Sequence, residues 1–235
     1  MNIETQKHLR KIRSFVRRER RFTRDQQRAL DVLMPQFGIQ PGPELIDLDA
    51  LFGRSAERHL EIGFGNGASL LAMAQANPDK DYLGIEVHRP GVANLLLQIE
   101  ALSITNVRVM NTDAVEVLKH NLADETLSAV YIFFPDPWHK TRHHKRRLVK
   151  VEFVELLRQR LKTGGLIHMA TDWENYAMHM LKVMQQVEGL TNLASDGGFC
   201  ERPGDRLLTK FEQRGLRLGH GVWDLMFRKT SELDN

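Results

Sequence analysis

Leu60-Glu-Ile-Gly-Phe-Gly-Asn-Gly67 is the stretch that decides the fold of this 235-residue chain. Its first three residues continue an extended, largely apolar run from His59. Its second half sets glycine at every other position (Gly63, Gly65 and Gly67) and leads into the helical-looking Ala68–Ala76. A strand, a glycine loop and a helix in that order open a parallel α/β unit, with a tight turn where backbone comes close to a ligand. Further strands are expected at Tyr82–Val87, Val107–Asn111, Ala129–Phe134, Leu166–Ala170 and Val222–Phe227. Helices are expected between them at Val92–Leu102, Ala114–Asn121, Leu148–Leu161 and Trp173–Val187. Leu148, Val151, Val154, Leu157 and Leu161 recur at three- and four-residue steps, as one buried helix face requires. The alternation predicts an α/β fold with a parallel sheet and helices on both faces. Residues 1–57 read as a basic, initially helical arm and an irregular connection containing a short helix, and 58–235 as the main domain. Ser195–Gly221, rich in glycine and arginine, reads as a long functional loop.

Acids follow the strands with a consistent sense. The first strand runs into the glycine loop, Glu86 closes the second, Asp113 follows the third, Asp136 the fourth and Asp172 the fifth. In open α/β sheets the carboxyl edge is where ligands bind. Glu86 lies 23 residues after Gly63, near the spacing of an acid that accepts from ribose hydroxyls. The glycine loop and Glu86 suit NAD and S-adenosylmethionine equally. Glu61 favours the second, because a carboxylate two residues before the first glycine suits a cationic ligand end. Asp113 can accept from an adenine amine, or simply cap the helix that follows.

Composition narrows the class. With 42% hydrophobic and 27% charged residues the chain is neither disordered nor collagen-like. A lone cysteine, Cys200, can form neither an internal disulfide nor a thiolate zinc site. No apolar run is long enough to span a bilayer and no secretory signal is visible, so a reducing, cytoplasmic location is expected. The net charge of +3 is unevenly spread: Lys7–Arg28 carries +8 and His139–Lys150 carries +6, leaving −11 on the remainder. Two cationic segments on an acidic body read as the footprint of a polyanion. A membrane surface is the rival partner, through Leu9, Ile12, Phe15 and Val16 in the arm.

Pro135-Asp136-Pro137-Trp138 sets a carboxylate between two rigid prolines, beside an indole on which a planar base can stack. His139 and His143 have helical spacing for a metal, but the surrounding cations repel a dication, and no metal is expected. Met169, Met178, Met180 and Met184 read as core filler.

Taken with Phe133-Phe-Pro-Asp-Pro-Trp-His-Lys140, Ala170-Thr-Asp172 and Thr209-Lys-Phe-Glu-Gln-Arg-Gly215, the glycine loop resembles that of the bacterial tRNA (guanine-7-)-methyltransferases. The resemblance runs from about Leu60 to Phe227. It implies a Rossmann-like class I methyltransferase with a mostly parallel seven-stranded sheet, S-adenosyl-L-methionine as cofactor, and methylation of the variable-loop guanine at tRNA position 46. It implies cofactor contacts at Glu61, Glu86, Asp113 and Asp136 beside Gly63, Gly65 and Gly67, with Asp136 central to the reaction. It further implies substrate contacts at Lys140, Asp172, Thr209, Lys210, Phe211 and Glu212, and RNA contacts at Arg142, His143, His144, Lys145, Arg146 and Arg147. The residues alone leave three other readings open: an NAD-linked oxidoreductase, a methyltransferase of another RNA or of a protein, and a non-catalytic RNA-binding module. They leave monomer and homodimer equally open.

Overall fold

The glycine loop leaves the central strand of the sheet. In the computed structural model, which describes residues 13–15, 21–204, 206, 212 and 221–231, β1 (Arg58–Ile62) is buried along its whole length. It pairs in parallel with β2 (Asp81–Ile85) on one side and β4 (Leu127–Phe133) on the other. With β3 (Val107–Met110), β5 (Leu161–Thr171), β6 (Leu190–Asn192) and β7 (Trp223–Lys229), the sheet order is β3-β2-β1-β4-β5-β7-β6. Strand order reverses between β1 and β4, and that switch point opens a crevice at the carboxyl edge. β7 runs antiparallel to both β5 and β6, so the sheet is mostly, not wholly, parallel. Strand β6 has no counterpart among the expected strands, since three residues are too few to show a period.

Helices cover both faces. On one, α6 (Ala114–His120), α7 (Val151–Arg160) and α8 (Glu174–Met184) bury Val117, Leu118, Val154, Leu157, Tyr176 and Met180 against Leu60, Ile85, Ile132 and Ile167. On the other, α4 (Ala68–Ala76) and α5 (Arg89–Ala101) bury Leu70, Leu71, Leu95, Leu96 and Ile99 against Tyr82, Val107 and Val109. The expected face of α7 is present at Val154 and Leu157, although Leu161 belongs to β5. Met178 departs from its expectation: it is 55% exposed, while Met169, Met180 and Met184 are buried.

The connection after the basic arm is helical in part. Helix α1 (Arg24–Arg28) starts at a capping box between Thr23 and Gln26. It continues as a π-helical turn (Ala29–Leu33) into α2 (Met34–Phe37), with Pro35 in the first turn of α2, where a missing N–H costs little. Ala29 and Leu33 enter the second core. Arg28 grips Glu100 of α5 with both terminal nitrogens (2.7 and 2.8 Å), and Arg89 lies 5.0 Å above the Phe22 ring. Ile39 donates its N–H to Val109 at the sheet edge, and α3 (Leu48–Phe52) buries Leu48 in the first core. Residues 21–52 are thus packed onto the domain that follows. Of the apolar arm residues, Leu9, Ile12 and Val16 lie outside the described residues.

Candidate functional site

Three of the expected acids and the first glycine of the loop meet in one cleft of about 280 Å³ at the switch point. Its wall includes Gly63 after β1, Glu86 after β2, Asp113 after β3 and Asp136 after β4. Parallel register sets these positions side by side, because each strand ends at the same edge.

The loop is held open by backbone geometry. Gly63, Gly65 and Gly67 all have left-handed φ, 76°, 58° and 82°. At Gly67 a side chain has no room either, since a Cβ there would lie 2.5 Å from Leu95 Cδ1. Gly91, in the first turn of α5, is absent from the residues that the sequence marks, yet a Cβ on it would lie 2.2 Å from the Gly65 carbonyl oxygen. The sequence gives it little signal, because the helix expected there begins one residue later, at Val92. Glu86 braces the loop from the other side. One carboxylate oxygen accepts from the Gly65 N–H at 2.9 Å, the other from Val87 and His88 N–H at 2.7 and 2.9 Å. A carboxylate has about four acceptor positions, so Glu86 retains capacity for a hydroxyl in the cleft.

Glu61 departs from the shared-wall expectation. It is 3% exposed and sits behind the wall, on the face of β1 opposite Leu60 and Ile62. One of its oxygens, Oε2, is buried without a hydrogen-bond partner. Burial, reinforced by the nearby charge of Glu86, pushes its carboxyl up to about 8. A buried acid left without a partner next to a glycine loop is what a cationic ligand group would satisfy. Asp113 serves as helix cap and wall together: Oδ1 accepts from Val115 N–H at 3.0 Å, while the residue lines the cleft.

Asp136 is exposed at the cleft, in a turn fixed from behind by Arg147. Arg147 donates from Nε to the Pro137 carbonyl at 3.0 Å and from Nη2 to Asn175 Oδ1 at 2.7 Å, and lies 4.8 Å above the Tyr176 ring. At 3% exposure it is committed to the protein, which corrects its placement among RNA-contacting cations. Arg142 and Lys145 are exposed on the 3₁₀ turn Thr141–Arg146, with His143, His144 and Arg146 partly so. Trp138 is a second correction. Its Nε1 donates to the Ser14 carbonyl at 3.0 Å and Arg146 lies 5.1 Å above its ring, so the indole fastens the arm rather than offering a free stacking face. His139 and His143 pack on different indoles, Trp173 at 4.2 Å and Trp138 at 5.9 Å.

Ser14 and Phe15 of the arm line the cleft, as do Thr112, Phe134 and Leu148, none of which the sequence marks as site residues. An adjoining cleft of about 350 Å³ shares Ser14, Asp113 and Leu148, and is ringed by Arg13, Lys119, Arg146 and Lys150. Lys140 and Asp172 follow β4 and β5 on the same rim, outside the wall of the first cleft. Thr209, Lys210 and Phe211 lie outside the described residues. Glu212 is buried in an ion pair with Arg206.

Comparison with known proteins places the chain among related sequences and folds. The methyltransferase family model Methyltransf_4 matches residues 55–225. The chain is 54% identical to a tRNA (guanine-N(7)-)-methyltransferase of Shewanella frigidimarina, covering 97% of this chain and 96% of that one. It is 56% identical to one of Aeromonas hydrophila, with the same coverage. Among solved structures, the 16S rRNA methyltransferase KamB aligns with a TM-score of 0.57 at 14% identity, over 80% of this chain and 95% of that one. A SAM-dependent O-methyltransferase from Thermotoga maritima aligns at 0.51 and 15% identity, over 88% and 73%. These two likenesses establish a Rossmann-like methyltransferase fold.

Proposed function

The chain belongs to the tRNA (guanine-N(7)-)-methyltransferase family, and from that premise we propose that its cleft seats S-adenosylmethionine between the glycine loop and Asp113, with the target guanine at Asp136. It is an S-adenosylmethionine-dependent enzyme that methylates guanine N7 in tRNA; the variable-loop guanine at position 46 is the proposed target. The observation that carries the site assignment is the row of Glu86, Asp113 and Asp136 on one cleft, with the unpartnered Glu61 behind it. Membership removes the oxidoreductase that the glycine loop alone left open.

When bound, S-adenosylmethionine supplies a methyl group activated by a sulfonium charge. The residues present fit it. Glu61, buried and unpaired at Oε2, matches a cationic ammonium, Glu86 retains an acceptor for ribose hydroxyls, and Asp113 stands beside Ala114 where an adenine amine would reach. Guanine N7 carries an in-plane lone pair, so no proton has to leave before the N–C bond forms and the S–C bond breaks. The protein's work is then orientation and electrostatics. Asp136, held between two prolines and braced by Arg147 at Pro137, orients the guanine edge and offsets the positive charge that moves into the ring.

Lys140 and Asp172, beside the cleft, are proposed to meet the nucleotide from the rim, together with Thr209, Lys210 and Phe211, while the carboxylate of Glu212 is taken up by Arg206. Arg142, His143, His144, Lys145 and Arg146, continued by Arg13, Lys119 and Lys150, are proposed as the phosphate path. A cytoplasmic location suits a tRNA substrate, and among the described residues no helix is long and apolar enough to cross a membrane.

Mass mapping of nucleosides after incubating bulk tRNA with labelled cofactor tests the function. The label is expected in 7-methylguanosine at one variable-loop site; label in another nucleoside would refute the assignment. A second measurement tests the phosphate path. Replacing Arg142 and Lys145 together by alanine is expected to flatten the log–log salt dependence of tRNA binding by about one to two units, near 0.9 for each phosphate that is no longer neutralised. An unchanged slope would take both residues off the RNA.

A further inference from the structure

The face of the sheet that α4 and α5 cover over β1–β3 carries a different lining over β4, β5 and β7. Register alternation puts Tyr131, Phe133, His168 and Asp224 on that face, where His168 and Asp224 are buried polar groups. Arg206 is the centre of the set and is 5% exposed. Its Nη1 and Nη2 donate to the two carboxylate oxygens of Glu212 at 2.8 and 2.7 Å. Nη2 also donates to Asp224 Oδ2 at 3.0 Å, and Nε lies 2.8 Å from Asp224 Oδ1 as an ionic contact outside hydrogen-bond angles. Asp224 Oδ1 in turn meets His168 Nε2 at 2.7 Å. The guanidinium carbon lies 5.9 Å from the ring centres of both Phe133 and Phe134, the two residues that lead into Pro135-Asp136. Phe134 itself has a left-handed φ of 51°.

Buried ion pairs are poor devices for stability alone, because desolvation consumes most of the Coulomb gain. Their recognised use is to fix one arrangement among several. This network joins three parts of the chain. Phe133-Phe134 ends β4 at the Asp136 turn, Asp224 lies on β7, and Glu212 follows the Thr209-Lys210-Phe211 run assigned to substrate. Glu212, with both oxygens engaged by Arg206, is a tethering group in this arrangement rather than an open acceptor.

We propose that Arg206 is a positioning residue for methyl transfer: its bidentate grip on Glu212, its ion pair with Asp224 and its packing on Phe133-Phe134 hold Glu212, β7 and the Asp136 turn in one register. The inference rests on the functional reading above and deepens it. It gives Arg206 no contact with cofactor or guanine. Its effect therefore belongs in turnover on tRNA, not in cofactor affinity.

The test compares Arg206→Met and Arg206→Lys with the wild-type chain for kcat and KM on tRNA, and for S-adenosylhomocysteine affinity by calorimetry. Arg206→Met is expected to lower kcat about thirtyfold, with tRNA KM and S-adenosylhomocysteine affinity within about threefold. Arg206→Lys keeps the charge but loses the fork and the planar packing, and is expected to recover part of the rate, leaving it about fivefold to tenfold low. Adding Glu212→Gln to Arg206→Met should cost little more, because the two act as one unit. Wild-type kcat in a folded Arg206→Lys or Arg206→Met protein would overturn the proposal. So would additive losses, or a loss confined to cofactor affinity. If Arg206→Met does not fold, Arg206→Lys decides, and failure of the lysine variant to fold would assign Arg206 to stability alone. Wild-type protein that leaves tRNA guanine N7 unmethylated would instead defeat the functional reading, whatever the variants do.

Discussion

Asp136→Asn should reduce kcat on tRNA by about a hundredfold to a thousandfold, the range seen when one preorganised electrostatic group is removed from a reacting centre. The substitution keeps shape and one carbonyl acceptor but removes the charge. If the carboxylate only held the guanine edge, the amide would preserve half of that interaction, and Asp136→Asn would run much faster than Asp136→Ala. If it also offsets the positive charge that enters the ring, the two variants should be comparably slow. The second outcome is expected, because the turn is built for fixity. Pro135 and Pro137 limit the backbone, and Arg147 ties the Pro137 carbonyl to Asn175 and the Tyr176 ring. S-adenosylhomocysteine affinity should fall far less than kcat. Near-normal turnover with unchanged guanine choice in Asp136→Asn would remove Asp136 from the mechanism.

The site's outline was legible because its acids are coupled to the strand pattern. Glu86, Asp113 and Asp136 each end or follow an apolar run, and parallel pairing converts that sequence rule into spatial adjacency. What was not legible depends on partners distant in sequence. Arg147 looks like any other member of a cationic run until Asn175, 28 positions on, accepts from it. Trp138 reads as an open ring until Ser14, 124 positions earlier, takes its N–H. Arg206 sits in a glycine- and arginine-rich stretch that reads as a long functional loop, and Glu212 with Asp224 on the antiparallel strand explains its burial. Pro35, a breaker in most helix interiors, falls here in the first turn of a new helical segment after a π-turn. Glu61 is the mixed case. Its spacing marked it as a ligand group, but its place behind the wall is a matter of which face of β1 it occupies.

That place gives Glu61 opposite effects on stability and on binding, and both are expected to be measurable. In the free protein burial raises its carboxyl from the ordinary 4.5 to about 8, so at neutral pH it is largely protonated. A cationic ligand group favours the ionised form. Binding of S-adenosylhomocysteine, which keeps the ammonium but lacks the sulfonium, should therefore release close to one proton per site at pH 7. Its affinity should rise about tenfold per pH unit from pH 6 towards 8 and then level off. Calorimetry in buffers of different ionisation enthalpy reads the proton count directly, and a count near zero would contradict the assignment. For folding the sign is reversed. The folded state holds this proton more tightly than the unfolded chain between 4.5 and 8, so Glu61 costs the free protein stability as pH rises through that window. Glu61→Gln removes a charge that has no partner at Oε2. At pH 8.5 the free variant should be more stable than the wild type by about 4 kcal/mol, a difference that shrinks as pH falls towards 5. The same variant should lose at least about a hundredfold in S-adenosylhomocysteine affinity, because the ammonium then meets a neutral amide in a dry setting. A variant that bound normally, or one destabilised at pH 8.5, would show that Glu61 is an ordinary core residue; gain of stability with loss of ligand is what an acid kept buried for a cation must give.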